Sequence, residues 1–201
     1  MKKMPCLFQR TFHGHDSATL LRKVTPGCEW VLAGEGTASR KWDGTACLMR
    51  DGVLYKRYDA KRGKAPPLGA IPCDDPDPIT GHHPHWVKVD PSKPEDKWHV
   101  EAWNKWLDEL NAGHRPGGRP VDGTYELVGP HFNGNPEHWL TDSFVRHGKD
   151  VIDVVRSFEG IRLSLTDNTI EGIVFAHPDG RMCKIRRNDY GLPWGSKGGK
   201  K

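Results

Sequence analysis

Two stretches of apolar and polar residues set the pattern of this chain, and each is broken by a short turn. The first reads Thr45-Ala46-Cys47-Leu48-Met49-Arg50, then Asp51-Gly52, then Val53-Leu54-Tyr55-Lys56-Arg57-Tyr58. An Asp-Gly pair between strand-like runs predicts a two-residue β-hairpin turn. The second reads Thr169 to Ala176, then His177-Pro178-Asp179-Gly180, then Arg181 to Arg187. Pro178 suits the first corner of a type I turn and Asp179-Gly180 completes it. A four-residue loop, Pro178 to Arg181, would pair His177 with Met182, Phe175 with Lys184 and Ile173 with Arg186. Side chains two apart share a strand face, so Glu171 is expected on the face of Lys184 and Arg186. A salt-bridged, exposed hairpin face would carry the same residues.

Helical periodicity is clearest after Pro94-Glu95-Asp96, whose acidic residues suit a helix N-terminus. Trp103, Trp106, Leu107 and Leu110 recur at i, i+3, i+4 and i+7, with Trp98 and Ala102 beside them, and Gly113 ends the run. A tryptophan ridge at this spacing reads as core. Asp16 or Ser17 caps an expected short helix through Val24, stopped by Pro26-Gly27. Trp30-Val31-Leu32-Ala33 reads as a strand. Lys149 to Phe158 reads as a helix with Val151, Val154, Val155 and Phe158 inward. Asp122 to Gly129 is an expected strand that sets Glu126 among apolar residues, although an edge strand with Glu126 toward solvent fits too. Residues 65–94 are rich in proline, aspartate and histidine and predict a long surface loop. Within it His82, His83 and His85, with Cys73, match no standard zinc spacing. His13 and His15 read as loop surface.

Length adds a bound: 201 residues suffice for one domain, expected over residues 1–194, with a flexible basic tail at 195–201. Lys and Arg number 30 against 26 Asp and Glu, a mild excess unlike that of a histone-like binder. The chain contains no apolar run near the roughly 20 residues of a membrane span, and its start has no secretory h-region. Five scattered cysteines without a Cys-x-x-Cys pair read as reduced thiols, so the expected location is cytoplasmic.

Candidate chemistry centres on Lys41-Trp42-Asp43-Gly44. If a strand begins at the lysine, an amine and a carboxylate point the same way, and Gly44 lets a ligand approach the backbone. Residues 56–64 follow with Lys56, Arg57, Lys61, Arg62 and Lys64. Such a run suits a phosphate-rich ligand and a solvated loop equally.

Taken in order, Lys41-Trp42-Asp43-Gly44, Tyr125-Glu126-Leu127-Val128-Gly129, Glu171-Gly172-Ile173-Val174 and Lys184-Ile185-Arg186 resemble motifs I, III, IV and V of the covalent nucleotidyltransferases. This superfamily holds ATP-dependent DNA ligases, RNA ligases and mRNA capping enzymes. Lys56-Arg57 stands where RNA ligases carry a basic motif, and the flanking Gly134-Asn135-Pro136-Glu137 and His147-Gly148 are most similar to small single-domain RNA ligases. Arg186 departs from the second lysine usual in motif V. Arg40 stands where several phage RNA ligases have glutamate. The fold implied is an α+β nucleotidyltransferase domain, with antiparallel sheets around a nucleotide cleft and helices outside.

The resemblance implies an RNA ligase that joins 5′-phosphate and 3′-hydroxyl RNA ends in three steps. Lys41 takes AMP from ATP, the AMP passes to the RNA 5′-phosphate, and the 3′-hydroxyl displaces it. A lysine has a reference pKa of about 10.4, so only about one in a thousand is neutral near pH 7.4. Closing that gap takes about 4 kcal/mol of differential stabilisation, much of which nearby cations can supply. Lys184 and a bound Mg²⁺ are assigned to this effect, and Lys184, Arg186 and the metal to charge developing on the phosphate. The resemblance further gives Glu171 to Mg²⁺ (or Mn²⁺), Glu126 to the ribose or a second metal contact, and Asp43, Gly44 and Arg57 to the nucleotide. Lys56, Arg57, Lys61, Arg62 and Arg187 are assigned to nucleic acid. No membrane and no obligate protein partner are expected. The alternatives are an ATP-dependent DNA ligase, a GTP-using capping enzyme and a non-catalytic nucleic-acid binder. Only 17 residues follow Lys184, too few for the OB-fold of the first two, so none is expected.

Overall fold

A computed structural model describes residues 3–13, 17–78, 80–113 and 121–195. In chain order its elements are β1 (Phe8–His13), β2 (Ser17–Val24), α1 (Glu29–Leu32), β3 (Thr37–Lys41), β4 (Thr45–Arg50), β5 (Val53–Ala60), β6 (Ile71–Pro72) and β7 (His83–Lys88). There follow α2 (Lys97–Asn111), β8 (Gly123–Val128), β9 (Ser143–Arg146), α3 (Phe158–Asp167), β10 (Gly172–Ala176) and β11 (Met182–Arg186). The named strands pair only in antiparallel fashion, and the helices are few, which makes the fold α+β. Contacts divide the chain into two compact units. A central unit comprises residues 43–146 with 1–3, and a terminal unit comprises residues 4–42 and 147–201.

The central unit is a six-stranded sheet in the order β6-β7-β5-β4-β8-β9. The first expected hairpin is its middle: Arg50 pairs with Val53, and Asp51 and Gly52 both take positive φ (54° and 75°), as a type I′ turn requires. One face turns Cys47, Met49, Leu54, Tyr125, Leu127 and Phe144 toward α2, which buries Ala102, Trp106 and Leu110 against them. The tryptophan ridge is core, with Trp106 stacked on Phe144 at 5.2 Å. Residues 65–94 are more ordered than a surface loop. β7 carries buried His85, Trp86 and Val87 and pairs with β5 and β6. Its proline hid it: Pro84 sits opposite Asp59, and its carbonyl accepts from the Cys73 amide (2.9 Å). β9 gives little pattern of its own, because a four-residue strand is too short to show a period.

The terminal unit contains a ribbon, β1-β2, and a three-stranded sheet in the order β11-β10-β3. Its core gathers Leu7, Phe8, Val31, Ile161, Leu165, Ile173, Phe175 and Ile185. Three local expectations give way here. Ser17 to Val24 is a strand rather than a helix, because pairing with β1 (His13 with Ser17, Phe8 with Val24) overrides a weak propensity; Asp16 lies outside the described residues. Trp30 to Leu32 form one helical turn after Glu29, which a four-residue apolar run cannot distinguish from a strand. Residues 149–156 form no helix and are tied by Arg40 N to Asp150 O (2.8 Å) and Ile152 N to Ala38 O (2.9 Å). The helix begins only after Ser157, whose hydroxyl accepts from Gly160 N (3.0 Å). Val151 and Val155 are accordingly exposed. The expected tail beyond Gly195 lies outside the described residues.

The second hairpin is present with a different register. Ala176, not His177, pairs with Met182, and the five residues between are closed by His177 N to Arg181 O (2.9 Å) and Gly180 N to His177 O (3.0 Å). Val174 therefore stands opposite Lys184, and Gly172 opposite Arg186. A one-residue slip exchanges faces, so strand alternation no longer puts Glu171 with Lys184 and Arg186.

One buried ion pair anchors the central unit. Asp96, 1% exposed, accepts from Lys56 Nζ on β5 and from the Asp90 amide (2.9 Å). Replacing Asp96 by Ala strands a largely buried ammonium and should cost about 3–5 kcal/mol in urea unfolding, whereas Lys56→Met with Asp96→Leu should recover most of it. An Asp96→Ala loss under about 1 kcal/mol would contradict this role.

Candidate functional site

The terminal unit's three-stranded sheet has one apolar and one charged face. Ala38, Ile173, Phe175, Cys183 and Ile185 alternate into the core. Ser39, Lys41, Val174, Lys184 and Arg186 fall on the opposite face, because residues paired across strands share a side. Lys41 pairs with Gly172, which pairs with Arg186, so one row across three strands reads lysine, glycine, arginine. Ser39, Val174 and Lys184 form the next row.

Gly172 makes that row possible. A Cβ there would lie 2.3 Å from Ile185 O and 3.0 Å from Arg186 Cα, closer than any side chain could sit. β11 is fixed from its other side by the N-terminal segment: Lys184 N donates to Pro5 O (2.9 Å), and Leu7 N donates to Lys184 O (2.8 Å).

Lys41 is the last residue of β3, not the first of the hairpin strand as expected; β3 joins β10 instead. Its ammonium donates to the Glu171 carboxylate and lies 3.4 Å from Trp42 O. Glu171 precedes β10 and is 8% exposed, so its carboxylate reaches Lys41 from the strand end rather than from the strand face. Burial lowers the Lys184 pKa from the ordinary lysine value, and the Lys41 and Arg186 charges lower it further, against Glu171 and Asp189. Arg186 is held by Asp189 through Nη2 (3.0 Å) and Nε (3.3 Å). Behind this face, the Arg40 guanidinium stacks on Trp42 at 3.7 Å.

Asp43, Gly44 and Glu126 belong to the central unit. Gly44 N donates to Glu126 Oε1 (3.1 Å), and a Cβ at Gly44 would lie 2.2 Å from Leu127 O. The close approach of the bend before β4 to β8 thus requires a glycine here. Glu126 lies on β8 between β4 and β9, nearly buried, not at a solvent edge. Asn133, which sequence reasoning passed over, takes φ 46° and donates through Nδ2 to Asp43 Oδ1 (3.0 Å) and Gly44 O (2.6 Å). The Asn133-Gly134-Asn135 spelling was the available signal, since asparagine is enriched in left-handed turns.

The basic residues assigned to nucleic acid divide in use. Lys56 is committed to Asp96. Arg187 donates to Leu165 O, Asn168 O (2.9 Å) and Pro193 O (3.0 Å), tying off the end of α3. Arg57 Nε is bound to Asp59 (2.9 Å) on its own strand. Lys61 and Arg62 lie in an exposed turn.

The described residues contain no group of three or more His, Cys, Asp or Glu side chains able to hold a metal ion. Glu171 supplies one hard-oxygen carboxylate, which fits Mg²⁺, an ion that usually takes one or two carboxylates and completes its shell with phosphate and water.

No protein-family profile matches the chain. The chain is similar to RNA ligase 1 of Pongo abelii, 30% identical over 142 residues, an alignment covering 57% of this chain and 42% of that protein. RNA ligase 1 of Rattus norvegicus is 29% identical over 145 residues, with the same coverage, and that of Mus musculus agrees. The chain thus spans less than half the length of these curated relatives, and the similarity supports a relationship to RNA ligases.

Proposed function

We propose that this chain is an ATP-dependent RNA ligase in which Lys41 Nζ attacks the α-phosphate of ATP. The observation that carries the reading is the shared face of Lys41, Lys184 and Arg186, with Glu171 at its end, in a chain similar to proteins named RNA ligase 1. In the first step an N–P bond forms at Lys41, the α–β phosphoanhydride breaks, pyrophosphate leaves, and the ammonium proton is lost to solvent. The AMP then passes to an RNA 5′-phosphate, and a 3′-hydroxyl displaces it to seal the strand.

Each residue on the face has work in that scheme. Lys184 makes no ion pair among the described residues, so its cation is available to the α-phosphate oxygens. Arg186 presents a guanidinium already oriented by Asp189, so less freedom is lost on binding phosphate. Glu171 would hold Mg²⁺, which when bound neutralises charge on the phosphates. Asp43 and Glu126 are assigned to the nucleotide, and Lys61 and Arg62 to the RNA backbone, where contacts weaken as salt rises.

Incubation with ATP and Mg²⁺ followed by intact-mass measurement should show one added AMP on the wild-type protein and none on Lys41→Ala. Labelling that persists in Lys41→Ala would remove the nucleophile assignment. The same assay run with GTP, and with DNA in place of RNA acceptors, separates a capping enzyme and a DNA ligase from the proposed activity. Glu171→Gln keeps the side-chain shape but lacks the charge. It should lower the labelling rate at least about a hundredfold while changing ATP affinity less than about threefold. An unaltered Mg²⁺ titration in that variant would exclude Glu171 as the ligand.

A further inference from the structure

Asp189 lies in the turn after β11, its side chain 4% exposed. Its Oδ1 accepts from Arg186 Nη2 (3.0 Å) and from Arg10 Nη1 (3.3 Å), and its Oδ2 accepts from Arg186 N (2.9 Å) and Nε (3.3 Å). The Cys6 thiol lies 3.9 Å from the same oxygen. One negative charge therefore holds two guanidiniums, which leaves an excess of one positive charge beside a buried carboxylate. Neutralising Asp189 requires only one of them, and Arg186 already contacts it through three nitrogens.

The second guanidinium, on β1, is where the surplus lies. Arg10 commits only Nη1 to a hydrogen bond among the described residues, so Nε and Nη2 keep their donors, and Arg186 keeps Nη1. The Arg10 side chain is about one-third exposed and the Arg186 side chain slightly more, so both remain within reach of a solute. Arg186 stands in the same sheet row as Lys41.

We propose that Arg10 and Arg186, held side by side on Asp189, form a phosphate-binding fork in the terminal unit. Its ligand is a phosphate dianion, either the pyrophosphate portion of ATP or the terminal 5′-phosphate of RNA. The source of the phosphate rests on the ligase reading above; the anion chemistry does not. Two guanidiniums at fixed spacing match a pair of phosphate oxygens with two-pronged hydrogen bonds.

The test is calorimetric titration of the full chain with inorganic pyrophosphate, and separately with a short RNA carrying a 5′-phosphate or a 5′-hydroxyl. Arg10→Gln should weaken pyrophosphate binding, or the preference for 5′-phosphate, about tenfold, the loss expected when one charge-assisted hydrogen bond goes. Weakening of the first identifies the ATP-derived group, and weakening of the second identifies the RNA end. Arg10→Lys should recover part of the affinity and keeps the test open if Arg10→Gln folds poorly. Unchanged affinity for both ligands with a lowered thermal midpoint would make Arg10 a structural tie and overturn the proposal, as would a wild-type protein that binds neither. Mass labelling with ATP separates the two readings. A protein that gains no AMP but loses pyrophosphate affinity on Arg10→Gln keeps the fork and loses the ligase assignment.

Discussion

The close approach of β10 to β11 at Gly172 is the constraint on which the charged face depends. A side chain at that position would collide with the Ile185 carbonyl. Without one, three backbones run side by side, and Lys41 and Arg186 flank a residue that occupies no space between them. A sheet row places these cations in advance, at strand spacing, without further cost in chain entropy.

The same sheet explains how so much positive charge is tolerated. Its far side is a fully buried apolar layer, Ile173, Phe175, Cys183 and Ile185, which holds the strands flat against the core. On the near side, Glu171 and Asp189 each neutralise part of the charge at opposite ends of the motif. At Lys184, between them in sequence, burial and two like charges outweigh the Glu171 and Asp189 carboxylates and lower its pKa.

In the central unit, charge is spent on architecture. Lys56 and Asp96 close the sheet against the start of α2, and Asn133 holds the Asp43-Gly44 backbone. Adjacent residues of one basic run thus serve different ends: Lys56 turns inward to a buried carboxylate, and Arg57, one residue on, turns to the opposite face.

Features whose causes are local can be read directly from the residues. Asp51-Gly52 dictates a type I′ turn, the Trp103-Trp106-Leu107-Leu110 ridge dictates a buried helix face, and Tyr125 to Val128 dictates a strand. Lys41, Glu171, Lys184 and Arg186 are singled out together only by a resemblance in their order along the chain. Tertiary structure alone decided which strand Lys41 joins, the register that sets Val174 rather than Phe175 opposite Lys184, and which charges are consumed in ion pairs. Lys56 finds Asp96 40 residues away and Lys41 finds Glu171 130 residues away, distances over which no turn rule or periodicity carries information. Short apolar runs such as Trp30 to Ala33 carry no resolvable period, so the neighbour they pack against, rather than their own spelling, chose helix or strand.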